Sequence, residues 1–449
     1  MRQTFSYRQK AGVFFQVLVP VFITQLALTS TGFFDTVMAG HVSEQDLAGV
    51  AVGFNLFFPF FGSCLGIISG LTPTIAYLHG ANQPEKIVFV VQQGFYWALG
   101  LAVFFIGSGC IALPLLLPYL ALEPRVAFVV TGYLAALACG IGPIFLAGVL
   151  RNFIDALGAT RLTMGITVLI VPVNIGLNYL FIFGAWGIPA LGGIGAGVGT
   201  AISFYFNLLL NILVVGHWRP FADYHVFRRM LRPALSAWRK QLAIGIPIGS
   251  TMFCEQSIFG AVGLFMTAYG TSVVAAHQAA MNFTTMVYMI PLSVSMALTI
   301  LVGYELGAQR LHDAKQYSRM GRILSFAFAG SLAMVLVNFR EQIAALYTND
   351  AAVAQLLMVF LVYAVAMQLS DSINAPLQGT LRGYKDVKVT FLLAVLSFWI
   401  MGLPAGWGLS HVGGLGPYGY WLGLITGILS GAVLLMLRLR VVERRYETK

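Results

Sequence analysis

The chain has 449 residues, of which 58% are hydrophobic and 9% are charged, and its mean hydropathy is +0.83. Soluble domains carry ~25% charged residues, so the composition excludes an ordinary water-soluble protein and indicates an integral membrane protein. The net charge of +10 would suit an anionic partner such as nucleic acid, but the placement of the basic residues argues against one.

Twelve apolar segments follow one another along the chain, and each is long enough to cross a ~30 Å hydrocarbon core as an α-helix. We therefore predict an all-α polytopic membrane protein with twelve transmembrane helices. The segments lie near residues 11–39, 46–73, 87–113, 125–149, 162–184, 192–216, 241–269, 273–302, 319–346, 351–377, 388–409 and 417–438.

Lys and Arg lie almost entirely on one side of the predicted membrane. If the amino terminus is cytoplasmic, every basic residue except Arg125 and Arg340 falls in a cytoplasmic segment, as the positive-inside rule requires. The pattern predicts a multi-pass membrane protein with both termini cytoplasmic. It gives no reason to expect a nucleic-acid partner.

The second half of the chain repeats the first. Pro20 aligns with Pro247 and Tyr77 with Tyr304, a constant shift of 227 residues. Six helices per half predict two parallel, pseudo-symmetric lobes with a cleft between them. We assign residues 1–216 to an N-lobe, 217–240 to a cytoplasmic linker and 241–449 to a C-lobe. The linker is strongly basic, which favours a tether that touches anionic headgroups over a regulatory site.

We interpret Asp35, Glu255 and Asp371 as the three acidic residues held within the apolar segments, and we expect no Lys or Arg there to pair with them. A carboxylate in hydrocarbon is costly unless something neutralises it. The sequence leaves a mobile neutraliser: a proton, a metal cation or a cationic substrate. This predicts an ion-coupled transporter.

Polar residues of the fifth and sixth segments offer partners for Asp35. Asn174 and Asn178 are four residues apart and share one helix face, and Thr200 adds a hydroxyl. These oxygens suit Na⁺, by analogy with other hard cations, and they would equally accept a hydrogen bond from a protonated Asp35. An Asp35 wetted at the outer surface, and an Asn pair that only bonds helices together, are the alternatives.

Glu255 lies near the predicted middle of the seventh segment, and Asp371 lies toward the inner part of the tenth. Without a basic neighbour the two acids either share a proton or are bridged by a cation. His277 could titrate near neutral pH, although a structural histidine is the simpler interpretation. Asp350 could guard the mouth of the cleft or be an exposed loop acid.

Several motifs resemble the multidrug and toxic compound extrusion (MATE) family, most closely its NorM-like branch. They are Asp35-Thr-Val-Met-Ala-Gly40, the Asn174 and Asn178 pair, the duplicated Tyr-x-x-Gly-Ala loops and Gln378-Gly-Thr-Leu-Arg-Gly-Tyr-Lys-Asp386. The resemblance implies a monomeric transporter of the bacterial inner (plasma) membrane, not an enzyme. It exports cationic amphiphilic drugs in exchange for Na⁺ or H⁺ by alternating access between two lobes.

The same resemblance implies two ion sites, one at Asp35 with the helix 5 Asn pair and one at Glu255 and Asp371, either of which would hold Na⁺. This chain has Asn178 where some relatives have Asp, and Met367 where some have Tyr, with Tyr363 one turn further back. Secondary candidates for substrate or gate contacts are His277, Asn282, Tyr363, Met367 and Asp350.

Other classes of function fit the sequence less well. A flippase or exporter of a lipid-linked or other amphiphilic metabolite, within the same superfamily, is the alternative; it would need cationic groups in the cleft, and we expect none there. No Lys follows a Gly, so a Walker-type phosphate loop is absent. No Gly-x-Ser-x-Gly or His-Glu-x-x-His motif of a hydrolase occurs either. We expect no cofactor other than the coupling ion.

Overall fold

The computed structural model describes residues 4–185, 187–228 and 230–448. Within these residues the regular structure is helical, and twelve helices are long and apolar enough to cross a membrane. The predicted all-α fold class is confirmed. The helices are α1 (Tyr7–Gly40), α2 (Glu44–Gly80), α3 (Pro84–Leu120), α4 (Pro124–Ala156), α5 (Thr160–Phe183), α6 (Gly193–His217), α7 (Leu235–Tyr269), α8 (Thr271–Gly307), α9 (Leu311–Tyr347), α10 (Ala351–Gly383), α11 (Val387–His411) and α12 (Pro417–Glu447).

The chain divides into two compact units. The first unit contains residues 19–249, and the second contains residues 4–18 together with 250–448. These bounds differ from a division at the linker, because the start of α1 groups with the second unit and the linker groups with the first.

Buried charges tie the start of the chain into the second unit. The ammonium group of Lys10, 3% exposed, lies 2.8 Å from a carboxylate oxygen of Asp313 and donates a hydrogen bond to the carbonyl of Thr4 at 3.0 Å. The hydroxyl of Thr4 in turn lies 3.3 Å from that of Tyr317. An ion pair with a buried partner is costly to break, so this segment is firmly attached to α9.

The linker is packed in the first unit and is not a free tether. Gln92 and Gln93 of α3 are fully buried, and their amides bond linker backbone atoms. Gln92 donates to the carbonyl of Val226 at 2.6 Å, and Gln93 accepts from the amide of Ala234 at 2.8 Å. The sequence gives no indication of this contact, because two adjacent glutamines in the first part of a helix resemble ordinary surface residues. Arg229 lies outside the described residues.

Each unit has its own apolar core. In the first unit, Ile68, Leu71, Phe145 and Phe153 are at most 1% exposed and form the centre of the main cluster. In the second unit, the cluster is built around Phe360, Met367 and Trp421. Many other apolar side chains are exposed, and Phe104 and Leu264 are each over 70% exposed. Exposed apolar side chains are expected on helices that face lipid.

Candidate functional site

A first polar cluster lies inside the first unit, where α1, α5 and α6 meet. Asp35 is 5% exposed and accepts two hydrogen bonds, one from the amide nitrogen of Asn178 at 2.5 Å and one from the hydroxyl of Thr200 at 3.2 Å. We define the cluster as Asp35, Asn174, Asn178, Thr200 and Ser203. The structure brings all four predicted N-lobe residues together, and the alternative of an Asp35 wetted at the surface does not hold.

The network around Asp35 leaves one strong acceptor without a donor. Asn178 donates to Asp35 and to the side-chain oxygen of Asn174, the latter at 3.2 Å, and Asn174 donates to Thr200 at 3.1 Å and to Ser203 at 3.3 Å. The amide oxygen of Asn178, which is fully buried, has no hydrogen-bond partner among the described residues. An orphaned oxygen beside a carboxylate costs free energy unless a cation or a proton donor reaches it.

Glycines in α6 make the close packing of this cluster feasible. A methyl group at Gly199 would come within 2.3 Å of the amide oxygen of Asn178, and one at Gly195 within 2.3 Å of the carbonyl oxygen of Phe181. Only residues without a Cβ let α6 approach α5 this closely. These two glycines therefore serve close helix contact.

A second polar cluster lies in the second unit, on α7, α8 and α10. The amide nitrogen of Gln378 donates to the carboxylate of Glu255 at 2.6 Å and to the side-chain oxygen of Asn374 at 2.9 Å. Arg382 donates to the amide oxygen of Gln378 at 3.3 Å. Asp371 interacts electrostatically with Glu255, so the two predicted C-lobe acids lie in one cluster. We define its members as Glu255, Tyr288, Asp371, Asn374, Gln378 and Arg382.

Arg382 corrects the expectation that no basic residue accompanies the buried acids. The predicted tenth segment ends near residue 377, but α10 continues to Gly383. Arg382 therefore lies in the last turn of the helix and is 8% exposed. Gln378, one turn earlier on the same face, spans the gap between the guanidinium and Glu255. The charges of Arg382 and Glu255 attract each other through this bridge. Cationic groups are therefore present within the helices.

Asp371 remains without a fixed partner. Its side chain is 8% exposed, yet within the described part of the chain it makes no hydrogen bond and no ion pair. Its electrostatic neighbours are Glu255 and the phenol of Tyr288. It costs free energy to keep a carboxylate ionised in a nonpolar setting when it has no hydrogen bond and lies near a second carboxylate. This acid therefore has the strongest need for a mobile positive charge.

Sequence reasoning gave no site role to five members of the two clusters. They are Ser203 in the first cluster and Tyr288, Asn374, Gln378 and Arg382 in the second; Gln378 and Arg382 lie within the motif that carries the family resemblance. Ser203 could have been found because it follows Thr200 by three residues and so shares its helix face. Tyr288 lies close enough to both acids to interact with them electrostatically, whereas Met367 is buried in the apolar core and Tyr363 stacks on Tyr418.

Other buried acids differ because each has a basic partner. Asp46 pairs with Arg125 at 3.6 Å, and Asp155 pairs with Arg151 at 3.6 Å. Glu305, 2% exposed, pairs with Arg310 at 2.6 Å. Fixed countercharges of this kind have a structural role. The contrast singles out Asp35, Glu255 and Asp371, which form no ion pair with a described residue; of these, only Glu255 is partly offset, by Arg382 through Gln378.

The secondary candidates make packing contacts. His277 is 2% exposed and accepts a hydrogen bond from the indole of Trp421 at 3.2 Å, which agrees with the structural interpretation. Asp350 caps the start of α10 by accepting from the amide of Ala352 at 2.8 Å. The remaining candidates are Asn282, bonded by the hydroxyl of Tyr347 at 3.1 Å, Tyr363, stacked on Tyr418 with ring centroids 5.7 Å apart, and Met367, 1% exposed in the core.

The oxygen ligands of both clusters fit a hard cation or a proton better than a transition metal. Among the described residues, no group of three or more His, Cys, Asp or Glu side chains is arranged to hold a metal. Carboxylate, amide and hydroxyl oxygens are hard ligands. The chemistry of either cluster therefore admits Na⁺ or a proton.

The fold and the clusters define a class of protein: a polytopic helical membrane protein with a duplicated chain and buried, incompletely neutralised acids in each half. The MatE family model matches residues 20–180 and again residues 247–407, with the same shift of 227 residues that the internal repeat shows. The chain belongs to the MatE family.

Relatives and solved structures agree with this assignment. A protein of Halalkalibacterium halodurans, named "Probable multidrug resistance protein NorM", is 45% identical over 447 residues, which covers 100% of this chain and 98% of the relative. A protein of the same name from Bacillus subtilis strain 168 is 45% identical, which covers 100% of this chain and 99% of the relative.

Solved structures share the fold. A structure described as MATE in the bent conformation matches with a TM-score of 0.90 at 18% identity, which covers 98% of this chain and 96% of that chain. A eukaryotic MATE transporter, AtDTX14, matches with a TM-score of 0.85 at 17% identity and covers 98% and 99%. The predicted family is confirmed, and a transporter rather than an enzyme is what this family comprises.

Proposed function

We propose that this chain is a secondary active multidrug efflux transporter that exports cationic amphiphilic compounds in exchange for Na⁺ or H⁺. The names of the NorM relatives support multidrug resistance as the biological role. The observation that carries the ion-exchange mechanism is the buried carboxylate for which no described residue provides an ion pair, Asp35 in one unit and Asp371 in the other. Such a group is most stable when a mobile cation neutralises it.

In the first cluster, the coupling ion would be held by Asp35 and the free amide oxygen of Asn178. If the ion is Na⁺, these two side chains and the hydroxyls of Thr200 and Ser203 are the available oxygen ligands. If the ion is a proton, it would reside on Asp35, and a protonated carboxyl would become a donor toward neighbouring oxygens. Either ion removes the unpaired charge that α1 otherwise buries.

In the second cluster, charge counting sets how many ions are needed. Glu255 and Asp371 carry two negative charges when both are ionised, and Arg382 offsets one of them through Gln378. One negative charge is left, so a single monovalent cation neutralises the cluster. A divalent cation would overcompensate it. We therefore propose that this cluster takes one Na⁺ or one proton per cycle.

Exchange follows if the ion and the drug favour different conformations. A ligand shifts a conformational equilibrium only by its difference in affinity for the two states, and two ligands that prefer opposite states weaken each other's binding reciprocally. A cation at the carboxylates and a cationic drug would then promote each other's release. Competition for the same negative charge is a direct physical source of this antagonism.

The flippase alternative is not favoured by the buried arginines. Arg382 is offset by Glu255 through Gln378, and Arg151 lies 3.6 Å from Asp155. Neither offers a free positive charge for a pyrophosphate group. We retain drug export as the proposed function.

The proposal is tested by dye accumulation in bacteria that lack their own efflux pumps. Cells expressing the wild-type chain should accumulate less of a lipophilic cationic dye than empty-vector cells. Asp35→Asn should restore accumulation to the empty-vector level at equal membrane expression. Asp223→Asn is the matched control, because Asp223 is 60% exposed in the linker. Equal export by wild type and Asp35→Asn would refute the assignment of Asp35.

A further inference from the structure

An apolar groove runs between α5 and α6 on the surface of the first unit. Its volume is about 500 Å³, which is in the range of small-molecule sites (~300–1,000 Å³). The wall is mostly aliphatic, and three polar or aromatic side chains stand at one end: Arg161, His217 and Trp218. The aliphatic residues are Leu162, Ile166, Leu169, Leu210, Leu213 and Val214.

The groove has the length and orientation of one lipid leaflet. From Arg161 to Leu169 it follows α5 for ~12 Å, close to half of a ~30 Å hydrocarbon core. Its polar end lies where α5 begins and α6 ends, the face that the positive-inside pattern predicts to be cytoplasmic. Trp and Arg side chains are typical of the headgroup level of a membrane.

The charge of the groove selects its occupant. Arg161 is exposed and forms no ion pair with any acid in the described part of the chain, and no acidic side chain lines the groove. A cationic amphiphile would find no countercharge here and would be repelled by Arg161. An acyl chain with a phosphate at its head matches both the aliphatic wall and the guanidinium, which binds phosphate bidentately.

We propose that this groove is a binding site for an anionic phospholipid of the cytoplasmic leaflet, with its phosphate at Arg161 and an acyl chain along Leu162 and Ile166. The site lies on the two helices that carry most of the first polar cluster, because Asn174 and Asn178 follow on α5 and Thr200 and Ser203 precede on α6. A lipid bound in the groove contacts both helices and stabilises their packing. The proposal does not depend on which ion or drug the protein transports.

The test measures thermal melting of the purified full chain in detergent during titration with phosphatidylglycerol or phosphatidylcholine. Phosphatidylglycerol should raise the melting temperature, and phosphatidylcholine should not. Arg161→Ala should weaken the apparent phosphatidylglycerol affinity about fivefold, which corresponds to ~1 kcal/mol for one basic residue at an anionic surface. Arg228→Ala, an exposed linker arginine, should bind as the wild type does.

Two further arms identify the source of the effect. Leu213→Trp keeps the guanidinium but fills the groove, and it should weaken the apparent phosphatidylglycerol affinity at least as much as Arg161→Ala does. Inorganic phosphate alone should give no shift, and native mass spectrometry should retain less phosphatidylglycerol on Arg161→Ala than on the wild type. An unchanged shift in both groove variants, or an equal shift with phosphatidylcholine or phosphate, would overturn the proposal.

Discussion

Asn178 holds Asp35 with its amide nitrogen at 2.5 Å, while the amide oxygen of the same side chain has no donor within the described part of the chain. The two residues are 143 positions apart in sequence, so tertiary packing alone brings them together. This contact fixes the position of the carboxylate and at the same time leaves an oxygen ligand beside it.

Gly199→Ala should disturb the first cluster without touching Asp35 directly. The added methyl would lie 2.3 Å from the amide oxygen of Asn178, and overpacking of this kind costs about 1–3 kcal/mol. We expect a lower melting temperature and an ion dependence of transport weakened at least tenfold. Gly216→Ala is the control on the same helix, because nothing lies within 4 Å of its added methyl. Wild-type ion dependence in Gly199→Ala would contradict the proposed ligand role of Asn178.

Glu255→Gln and Asp371→Asn should each abolish the stimulation of dye efflux by Na⁺ while leaving the protein folded. The neutral amides keep nearly the same volume but remove the charge that attracts the ion. The measurement is dye efflux at rising Na⁺ concentration, with melting temperature as the test of folding. Glu341→Gln, an exposed acid on α9, is the control. If both cluster variants keep their Na⁺ response, the second cluster is not a coupling site.

Arg382→Met should unbalance the second cluster. Removal of the buried guanidinium leaves Glu255 and Asp371 with two uncompensated charges. Because Arg382 offsets Glu255 only through Gln378, we expect a cost below the ~3–5 kcal/mol of breaking a direct buried ion pair. We expect a lower melting temperature without Na⁺ and a larger rise on addition of Na⁺ than in the wild type. Arg382→Lys, which keeps the charge, should show the smaller rise of the wild type. Identical Na⁺ responses in wild type and Arg382→Met would rule out the charge count proposed above.

The turn between α10 and α11 gives a pH prediction. Burial lowers the pKa of Lys385 from 10.5 to about 8, so between these values the unfolded chain binds more protons than the folded protein. Stability that depends on this lysine therefore rises with pH from about 8 toward 10.5 and is lower at neutral pH. Lys385→Met should remove this rise and should stabilise the protein at pH 7. The measurement is the melting temperature of both proteins at pH values across this range. An identical pH dependence in the two proteins would show that Lys385 is not desolvated in the folded state.

The sequence predicted the helices because apolar length is a direct consequence of the bilayer's thickness. It also predicted that Asn174, Asn178 and Thr200 would join Asp35, since helical spacing places the two amides on one face. It missed Arg382 because an arginine just past an apolar run resembles a loop residue, although α10 continues to Gly383.

The role of Tyr288 could not be predicted, because one phenol among apolar neighbours gives no periodic signal. The contacts of Gln92 and Gln93 with the linker were also beyond reach. They depend on how a segment of irregular structure folds back onto α3, and neither propensity nor hydropathy encodes this. Only the three-dimensional structure reveals these contacts between distant elements.

The most direct measurement of the central claim uses proteoliposomes that contain the purified protein and a cationic dye, with the Na⁺ gradient and the pH gradient imposed one at a time. We predict that at least one gradient drives dye movement against its concentration, and that Asp35→Asn and Asp371→Asn both lose this movement. Dye movement that ignores both gradients, or that persists in both variants, would contradict an exchange mechanism based on buried carboxylates.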